Sequence, residues 1–340
     1  MSQAGTARLP GGWLLAGVVS VIGMSLLAAA TGPAGLPPGR VLRALLDALP
    51  AVSVDSGLGE RELAILWEVR LPRVVLGLLV GSSLATAGAA YQGVFRNPLA
   101  DPYLLGVAAG AGLGATFAIV AGHRPILPLA AFVGGAVAVI LTYLLGRGLG
   151  DRTVTGLILA GVAVASFFAA WQTYLQQRHD DTLREVYAWI LGRLSTSGWR
   201  EVLLVAPYVA VSIVTIVLHR RLLDVLSVGD SEAAGLGLSV GRVRLAVVAA
   251  ATLGTASAVA VSGLIGFVGI IVPHTVRLAA GASYRRVVPL SVLFGGSFLV
   301  AADLAARSLL APAELPIGVV TAFLGAPFFL AVLRTSRRVR

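Results

Sequence analysis

An uncharged run from Val74 to Val94 constrains this chain more than any other stretch. It has about the length of a membrane-spanning helix, which needs roughly 20 apolar residues. Arg70 and Arg73 precede the run, and Asn97-Pro98 turns the chain just after it. The arginines and the turn should therefore lie at opposite faces of a membrane. After the turn, glycines recur every four positions, at Gly106, Gly110 and Gly114. This spacing lets another helix approach closely.

The composition extends this interpretation to the whole chain. Of 340 residues, 57% are hydrophobic and 12% are charged, far from the averages of soluble proteins. The apolar windows leave no stretch for a separate soluble domain, so residues 1–340 are expected to form a single transmembrane domain. Its surroundings should be membrane lipid, and no nucleic-acid partner is expected.

Ten apolar windows have the length of membrane spans. Two of them lie in one run of about 36 residues from Leu245 to Ala280, which we split near Ser262-Gly263 because it is too long for one crossing. The predicted fold class is all-α, a polytopic membrane protein with about ten transmembrane helices. The other windows are Trp13–Ala30, Val74–Tyr91, Leu104–Val120, Ile126–Leu145, Val154–Leu175, Val202–Leu218, Val287–Ala306 and Leu315–Leu333.

The distribution of arginines orients these spans. With the N-terminus inside, the cytoplasmic segments carry 15 arginines and 5 acidic residues, and the outer segments carry 11 of each. Cytoplasmic loops of membrane proteins carry an excess of basic residues. Both termini are therefore expected in the cytoplasm.

Two absences from the sequence exclude classes of chemistry. The chain has 26 arginines and no lysine, so it lacks the lysine that a phosphate-binding G-x-x-x-x-G-K-[ST] loop requires. It also has no cysteine, which excludes disulfides, thiolate metal sites and cysteine nucleophiles. We therefore expect no ATPase site of this type and no thiolate metal site in the chain.

Several blocks of sequence resemble a known family. The chain is similar to the permeases of type II ABC importers, the FecCD-like subunits that import ferric siderophores, haem or cobalamin. The resemblance runs in order from about residue 60 onward. The blocks are RLPR, GAAYQGVFRNPLADPYLLGVAAGAGLGA, LSVGDSEAAGLGL, GLIGFVGIIVPHTVR and ELPIGVVTAFLGAPFF.

The resemblance implies an assembly in the bacterial cytoplasmic (inner) membrane. Two copies of a ten-helix subunit would form a homodimer around a translocation path. Two separate cytoplasmic ATPase subunits would hold ATP and Mg, and a substrate-binding protein would deliver the cargo from outside. This chain would itself be a permease subunit and not an enzyme, with no metal site and no bound cofactor. We expect an iron chelate, a ferric siderophore, as the cargo, with cobalamin and haem as alternatives.

The family places arginines on the outer face against glutamates of the binding protein. The matching residues here are Arg70, Arg73 and Arg307. Charge pairs at such an interface set register and association rate, which suits a partner that docks and leaves. The alternative is that these side chains only extend to lipid headgroups.

The family's inner gate corresponds to the turn after the second span and a short polar triplet before the fifth. Here these are Asn97 and Leu99, and Thr153, Val154 and Thr155. A valine stands where a hydroxyl residue is expected in the middle of the triplet. Ordinary turn chemistry is the alternative explanation for Asn97-Pro98.

The longest inner loop, about residues 219–244, contains a predicted short helix. Asp230 is suited to cap its N-terminus, and Gly235 or Gly237 to form its left-handed C-terminal turn. The resemblance makes this the coupling helix that docks on the ATPase; a plain cytoplasmic loop is the alternative. The residues assigned to coupling are Asp230, Ser231, Glu232, Ala233, Leu236 and Gly237.

Two other classes remain as alternatives. An ion-driven secondary transporter uses polar groups or broken helices near the membrane midplane, but the spans contain almost no carboxylate. The main exception, Asp303, has Arg307 four residues later, which favours a local ion pair. A membrane enzyme would need clustered ligands inside the bilayer, and the four histidines are scattered. His274, which precedes Arg277 near a helix end, is interpreted as a packing or capping residue.

Overall fold

The structure, a computed structural model, describes residues 11–32, 35–49, 53–148, 154–194 and 198–337. Within these ranges every regular element is helical, as the sequence predicts. The α-helices are α1 (Gly11–Ala30), α2 (Pro38–Asp47), α3 (Glu60–Ala64), α4 (Leu71–Phe95), α5 (Val107–Val120), α6 (Leu127–Gly148), α7 (Val154–Arg178), α8 (Leu183–Ile190), α9 (Arg200–Leu226), α10 (Asp230–Gly235), α11 (Val240–Ser262), α12 (Val268–Ala280), α13 (Tyr284–Ser308) and α14 (Ile317–Arg337).

Ten of these helices coincide with the ten predicted spans. Six are long and apolar enough to cross a membrane, namely α1, α6, α7, α9, α11 and α13. Three more, α5, α12 and α14, are apolar but shorter. The tenth, α4, has 25 residues and is buried along most of its length. The prediction of a polytopic helical membrane protein is therefore confirmed.

Helix α4 is the centre of the bundle, surrounded by α9, α11, α12 and α13. Its small residues permit this position. A side chain at Gly81 would collide with the backbone carbonyl of Gly295, and one at Gly88 with that of Gly269. Since helices in a membrane associate chiefly through close packing, these glycines bring α12 and α13 against α4.

The predicted glycine spacing joins α5 to α6. Added side chains at Gly110 and Gly114 would meet the backbone carbonyls of Gly134 and Ala130. Gly106 has a different function, because its φ of 85° is left-handed and it ends the loop before α5. The third span thus begins at Val107 rather than at Leu104.

Helix α4 begins earlier than the predicted Val74. A π-helical turn, Ile65–Arg70, joins α3 to α4 without a break. In this turn the amide of Leu71 donates to the carbonyl of Leu66. The carbonyl of Trp67 instead accepts a bond from the indole Nε1 of Trp199, at 3.0 Å. The π turn thereby anchors the start of α4 to the start of α9.

The long apolar run divides where the sequence predicts. Helix α11 ends at Ser262, but α12 begins only at Val268. The five residues 263–267 make this linker longer than the very short turn we expected. It includes Phe267, whose φ of 68° is unusual for a residue with a side chain.

Candidate functional site

On the predicted outer face, one carboxylate binds two arginines from different helices. Arg73, in the first turn of α4, donates to Asp303 of α13 at 2.9 Å and also to Glu314 at 2.9 Å. Arg307 lies 3.5 Å from the same Asp303. The predicted i,i+4 pair is therefore present. The sequence did not indicate its second partner, Arg73, which lies 230 positions away.

Arg307, together with Arg70, also caps the end of α1. Arg70 Nη1 donates to the carbonyls of Ala29 and Ala30 at 2.7 and 2.8 Å. Arg307 donates to the carbonyl of Thr31 at 2.7 Å and to that of Ala28. The last carbonyls of a helix have no partners within it, and cations there are favourable. This cluster therefore ties α1 to α4 and α13.

These contacts leave little of the arginines accessible. Arg70 is only 6% exposed, and the side chains of Arg73 and Arg307 are 18% and 10% exposed. Glu314, the second partner of Arg73, is 52% exposed, and the hydrogen bond from Arg73 lowers the pKa of its carboxyl group. The docking of a partner by these arginines stays a prediction, and their position indicates a structural contribution as well.

On the predicted inner face, α4 ends in a tight turn built by Asn97. Arg96 adopts the left-handed conformation, with φ 49° and ψ 35°. The amide of Asn97 then donates back to the carbonyl of Gln92 at 3.2 Å, and its side-chain oxygen accepts from the amide of Leu99 at 3.0 Å. Asn97 is exposed and Leu99 is half-buried.

The second half of the predicted gate lies at the start of α7. Val154 is the first residue of this helix, and Thr155 is exposed in its first turn. Thr153 lies outside the described residues. The gate itself therefore stays a prediction.

The predicted coupling segment is shorter than residues 219–244. Helix α9 continues to Leu226 and α11 begins at Val240, so only 227–239 connect them. This connection contains the expected short helix, α10. The N-cap prediction was wrong by one residue, because Gly229 is the N-cap and the carboxylate of Asp230 binds arginines instead.

The C-terminus of α10 forms the predicted left-handed turn. Gly237 has a φ of 80°, and its amide donates to the carbonyl of Ala234 at 2.9 Å. The amide of Leu238 donates to the carbonyl of Ala233 at 3.0 Å. This pair of bonds is a Schellman motif, so the prediction for Gly237 is confirmed.

Helix α10 has one buried face and one exposed face. Ala233 is fully buried, whereas Leu236 is 74% exposed and Val228, just before the helix, is 65% exposed. Ser231 is also exposed, and its hydroxyl donates to Glu232. Bonds from the Glu232 backbone and from Ser231 lower the pKa of Glu232. The segment thus presents apolar side chains beside a negative charge.

Asp230 lies where the predicted coupling segment meets the turn at Asn97, which is the first half of the predicted gate and is called the gate turn below. Its carboxylate accepts from Arg244 Nη2 at 2.8 and 3.0 Å. Arg96 Nη2 is 3.8 Å from the same group. The structure therefore brings α10, the N-terminal part of α11 and the residue before Asn97 together.

The residues near His274 form packing contacts. The His274 ring meets Phe328 of α14 edge-on at 5.9 Å. Arg277 lies 5.0 Å over the Tyr284 ring and donates to Gln92 at 3.2 Å. Among the described residues, no group of three or more acidic or histidine side chains is placed to hold a metal ion.

A bundle of ten apolar helices, with a short exposed helix on one face and an arginine cluster on the other, defines a multi-pass transport permease. The sequence pattern of the FecCD transport family matches residues 20–335. The chain belongs to this family of ABC transporter permeases.

Similar proteins of known name cover most of this chain. The cobalamin import system permease protein of Halobacterium salinarum is 41% identical over 85% of this chain and 78% of its own length. The Fe(3+) dicitrate transport system permease protein of Escherichia coli is 37% identical over 84% of this chain and 90% of its own. A solved ABC transporter of the proposed metal-chelate type, in an inward-facing conformation, superposes with a TM-score of 0.84 at 28% identity. That match covers 96% of this chain and all of the other.

Proposed function

We propose that this chain forms the translocation path of a binding-protein-dependent importer for an iron chelate, driven by separate ATPase subunits. The observation that carries the proposal is the exposed apolar surface of α10. Leu236 and Val228, which flank α10 in the connection between α9 and α11, are exposed, and in the proposed topology this connection lies in the cytoplasm, away from lipid. The chain lacks a phosphate-binding lysine, so ATP-driven uptake would need a separate ATPase subunit.

The docking of an ATPase on α10 is tested by changing its outer face. Glu232→Arg combined with Leu236→Asp reverses one charge and replaces one apolar contact, so the ATPase subunit should no longer co-purify and uptake should stop. Leu236→Met keeps the side chain apolar and should retain both. Full transport by the double variant, inserted in the membrane at normal levels, would remove this assignment.

A second copy of the chain would complete the path. Helix α14 supports this proposal because it exposes large apolar side chains, with Phe323 76% and Leu330 59% exposed, and packs mainly on α12 and α13. Lipid would cover the same side chains in a monomer. Cross-linking of Phe323→Cys between two copies in native membranes distinguishes the two states, and a monomer in every condition would contradict the homodimer.

The outer partner would be a substrate-binding protein, with both termini of this chain in the cytoplasm. Arg73 supports this docking because its exposed partner, Glu314, could be exchanged for a carboxylate of the binding protein. Reversal of charge at Arg73 should slow association. Recovery by arginine at the facing glutamate of the partner would support the contact, and no recovery would contradict it.

The identity of the cargo, an iron chelate, is the most specific part of the proposal. The ferric dicitrate relative supports it, while the cobalamin relative, at 41% identity, favours a corrinoid as a second candidate. The visible spectrum of the ligand that co-purifies with the binding protein separates them, because ferric chelates, corrinoids and haem absorb differently. A corrinoid or haem spectrum would overturn the iron-siderophore assignment.

A further inference from the structure

We propose that Asp230 is a positioning residue that transmits the movement of α10 to the gate turn at Asn97. This inference rests on the proposed docking of an ATPase at α10, and it assigns a physical link between the two inner sites. The link has three members, Asp230 on α10, Arg244 on α11 and Arg96 at the end of α4.

The first contact fixes α10 to a buried group. Arg244 is only 9% exposed, and its Nη2 donates to both carboxylate oxygens of Asp230, at 2.8 and 3.0 Å. Charge-assisted bonds to a carboxylate are short and directional. A displacement of α10 therefore acts on the N-terminal part of α11, where Arg244 lies.

The second contact reaches the gate turn. Arg96 Nη2 lies 3.8 Å from the Asp230 carboxylate, and Arg96 is the residue directly before Asn97. Its left-handed backbone, at φ 49°, is a conformation that residues with a side chain seldom adopt. Such strained positions persist only when the surroundings hold them. A change at the Arg96 side chain therefore redirects the turn that Asn97 forms.

Helix α10 has few other attachments to the bundle. It is six residues long, and Ala233 is its one buried residue. An apolar contact of a single methyl group has no preferred direction, whereas the ion pairs do. The carboxylate of Asp230 is thus the most direct route from this helix to the rest of the chain.

The charges explain what a neutral side chain would do. Asp230 lies between two arginines, so its charge offsets part of their repulsion. An asparagine at this position would have the same size but no charge. Arg96 and Arg244 would then lose the carboxylate that both of them contact. The docking face, which carries Leu236 and Glu232, would be unchanged.

The test is Asp230→Asn in the full complex with its ATPase subunit, reconstituted in lipid vesicles. We expect the ATPase subunit to bind as in the wild type and to hydrolyse ATP. Uptake should fall by about tenfold or more, within the range typical of energetic coupling between sites. Asp230→Glu, which keeps the charge, should restore most of the uptake, and Arg244→Gln should resemble Asp230→Asn.

Arg242→Gln is the matched control for Arg244→Gln. Arg242 lies in the same turn of α11 and is exposed, so the same loss of charge there should leave uptake close to the wild type.

A position label adds a second readout. Because the chain has no cysteine, Asn97→Cys can be labelled with a fluorophore at that single position before the ATPase subunit is added. Its ATP-dependent signal should disappear with Asp230→Asn and return with Asp230→Glu.

The outcomes separate this inference from the proposed function. Wild-type uptake by Asp230→Asn, or an unchanged ATP-dependent signal at residue 97, would overturn the inference and leave the docking intact. Loss of ATPase binding in Asp230→Asn would overturn it too, since the residue would then belong to the docking surface. Failure of the wild type to bind an ATPase subunit would overturn both.

Discussion

The hydroxyl of Tyr103 forms two hydrogen bonds with the backbone of Ile265, donating to its carbonyl at 3.0 Å and accepting from its amide at 3.1 Å. Both residues lie in non-helical segments, one between α4 and α5 and the other between α11 and α12. Backbone groups without helical partners are costly inside a membrane protein unless another group satisfies them. Tyr103 is that group, and it joins the two breaks.

Removal of this hydroxyl should destabilise the bundle. Tyr103→Phe leaves the buried amide and carbonyl of Ile265 without these partners, and each unsatisfied group costs about 1–3 kcal/mol. We expect a lower unfolding temperature in detergent. Tyr187→Phe is the control, because Tyr187 is 54% exposed. Equal unfolding temperatures for both variants would contradict the importance of the Tyr103 contact.

The close contact of α5 with α6 predicts a second effect on stability. Gly110→Ala places a methyl group against the carbonyl of Gly134, so the two helices must separate. Gly23→Ala, on α1, adds the same methyl group where no atom lies within 4 Å. Both changes improve helix propensity by about 1 kcal/mol, so the difference between their unfolding temperatures measures packing. An equally stable Gly110→Ala would refute the tight contact.

The two carboxylates that bind Arg73, those of Asp303 and Glu314, should differ greatly in their contribution to the stability of the fold. Asp303 is buried between Arg73 and Arg307, and removal of one partner from a buried pair costs about 3–5 kcal/mol. Glu314 is 52% exposed, and exposed pairs contribute about 0.2–1 kcal/mol. Asp303→Asn should therefore reduce folded yield and unfolding temperature far more than Glu314→Gln. Similar losses from both would contradict this assignment.

The inner gate can be tested by cross-linking. Asn97 is exposed at the end of α4, and no native cysteine competes with an introduced one. In the proposed homodimer, the two copies of Asn97→Cys should cross-link in one nucleotide state and not in another. If the cross-linking yield does not depend on nucleotide, or if no cross-link forms in any state, Asn97 only forms a turn and is not part of a gate.

The helices were predictable because a membrane span needs a long apolar window, and that requirement is visible in the sequence. Caps that depend on neighbouring residues were also visible, as Gly237 shows. The predicted start of the third span at Leu104 is three residues too early. The apolar Leu104 and Leu105 still belong to the turn that begins at Asp101, and this turn ends only at Gly106, whose φ is 85°.

Contacts between distant residues could not be predicted. Arg70 and Arg307 bind the end of α1, 41 and 276 positions away, and no local pattern records that these carbonyls are near. The resemblance assigns both arginines to the docking of a binding protein, whereas in the structure they already form hydrogen bonds within the chain. Asp230 was interpreted as a local cap for the same reason, because its true partner, Arg244, is 14 residues away on the next helix.

The most direct test of the account is the energy source of uptake. The chain, its ATPase subunit and its binding protein are reconstituted in vesicles with a labelled iron chelate as the probe. We predict uptake that requires hydrolysable ATP on the ATPase side and continues after ionophores collapse the proton and sodium gradients. Uptake by this chain without the ATPase subunit, driven by an imposed ion gradient, would contradict the account.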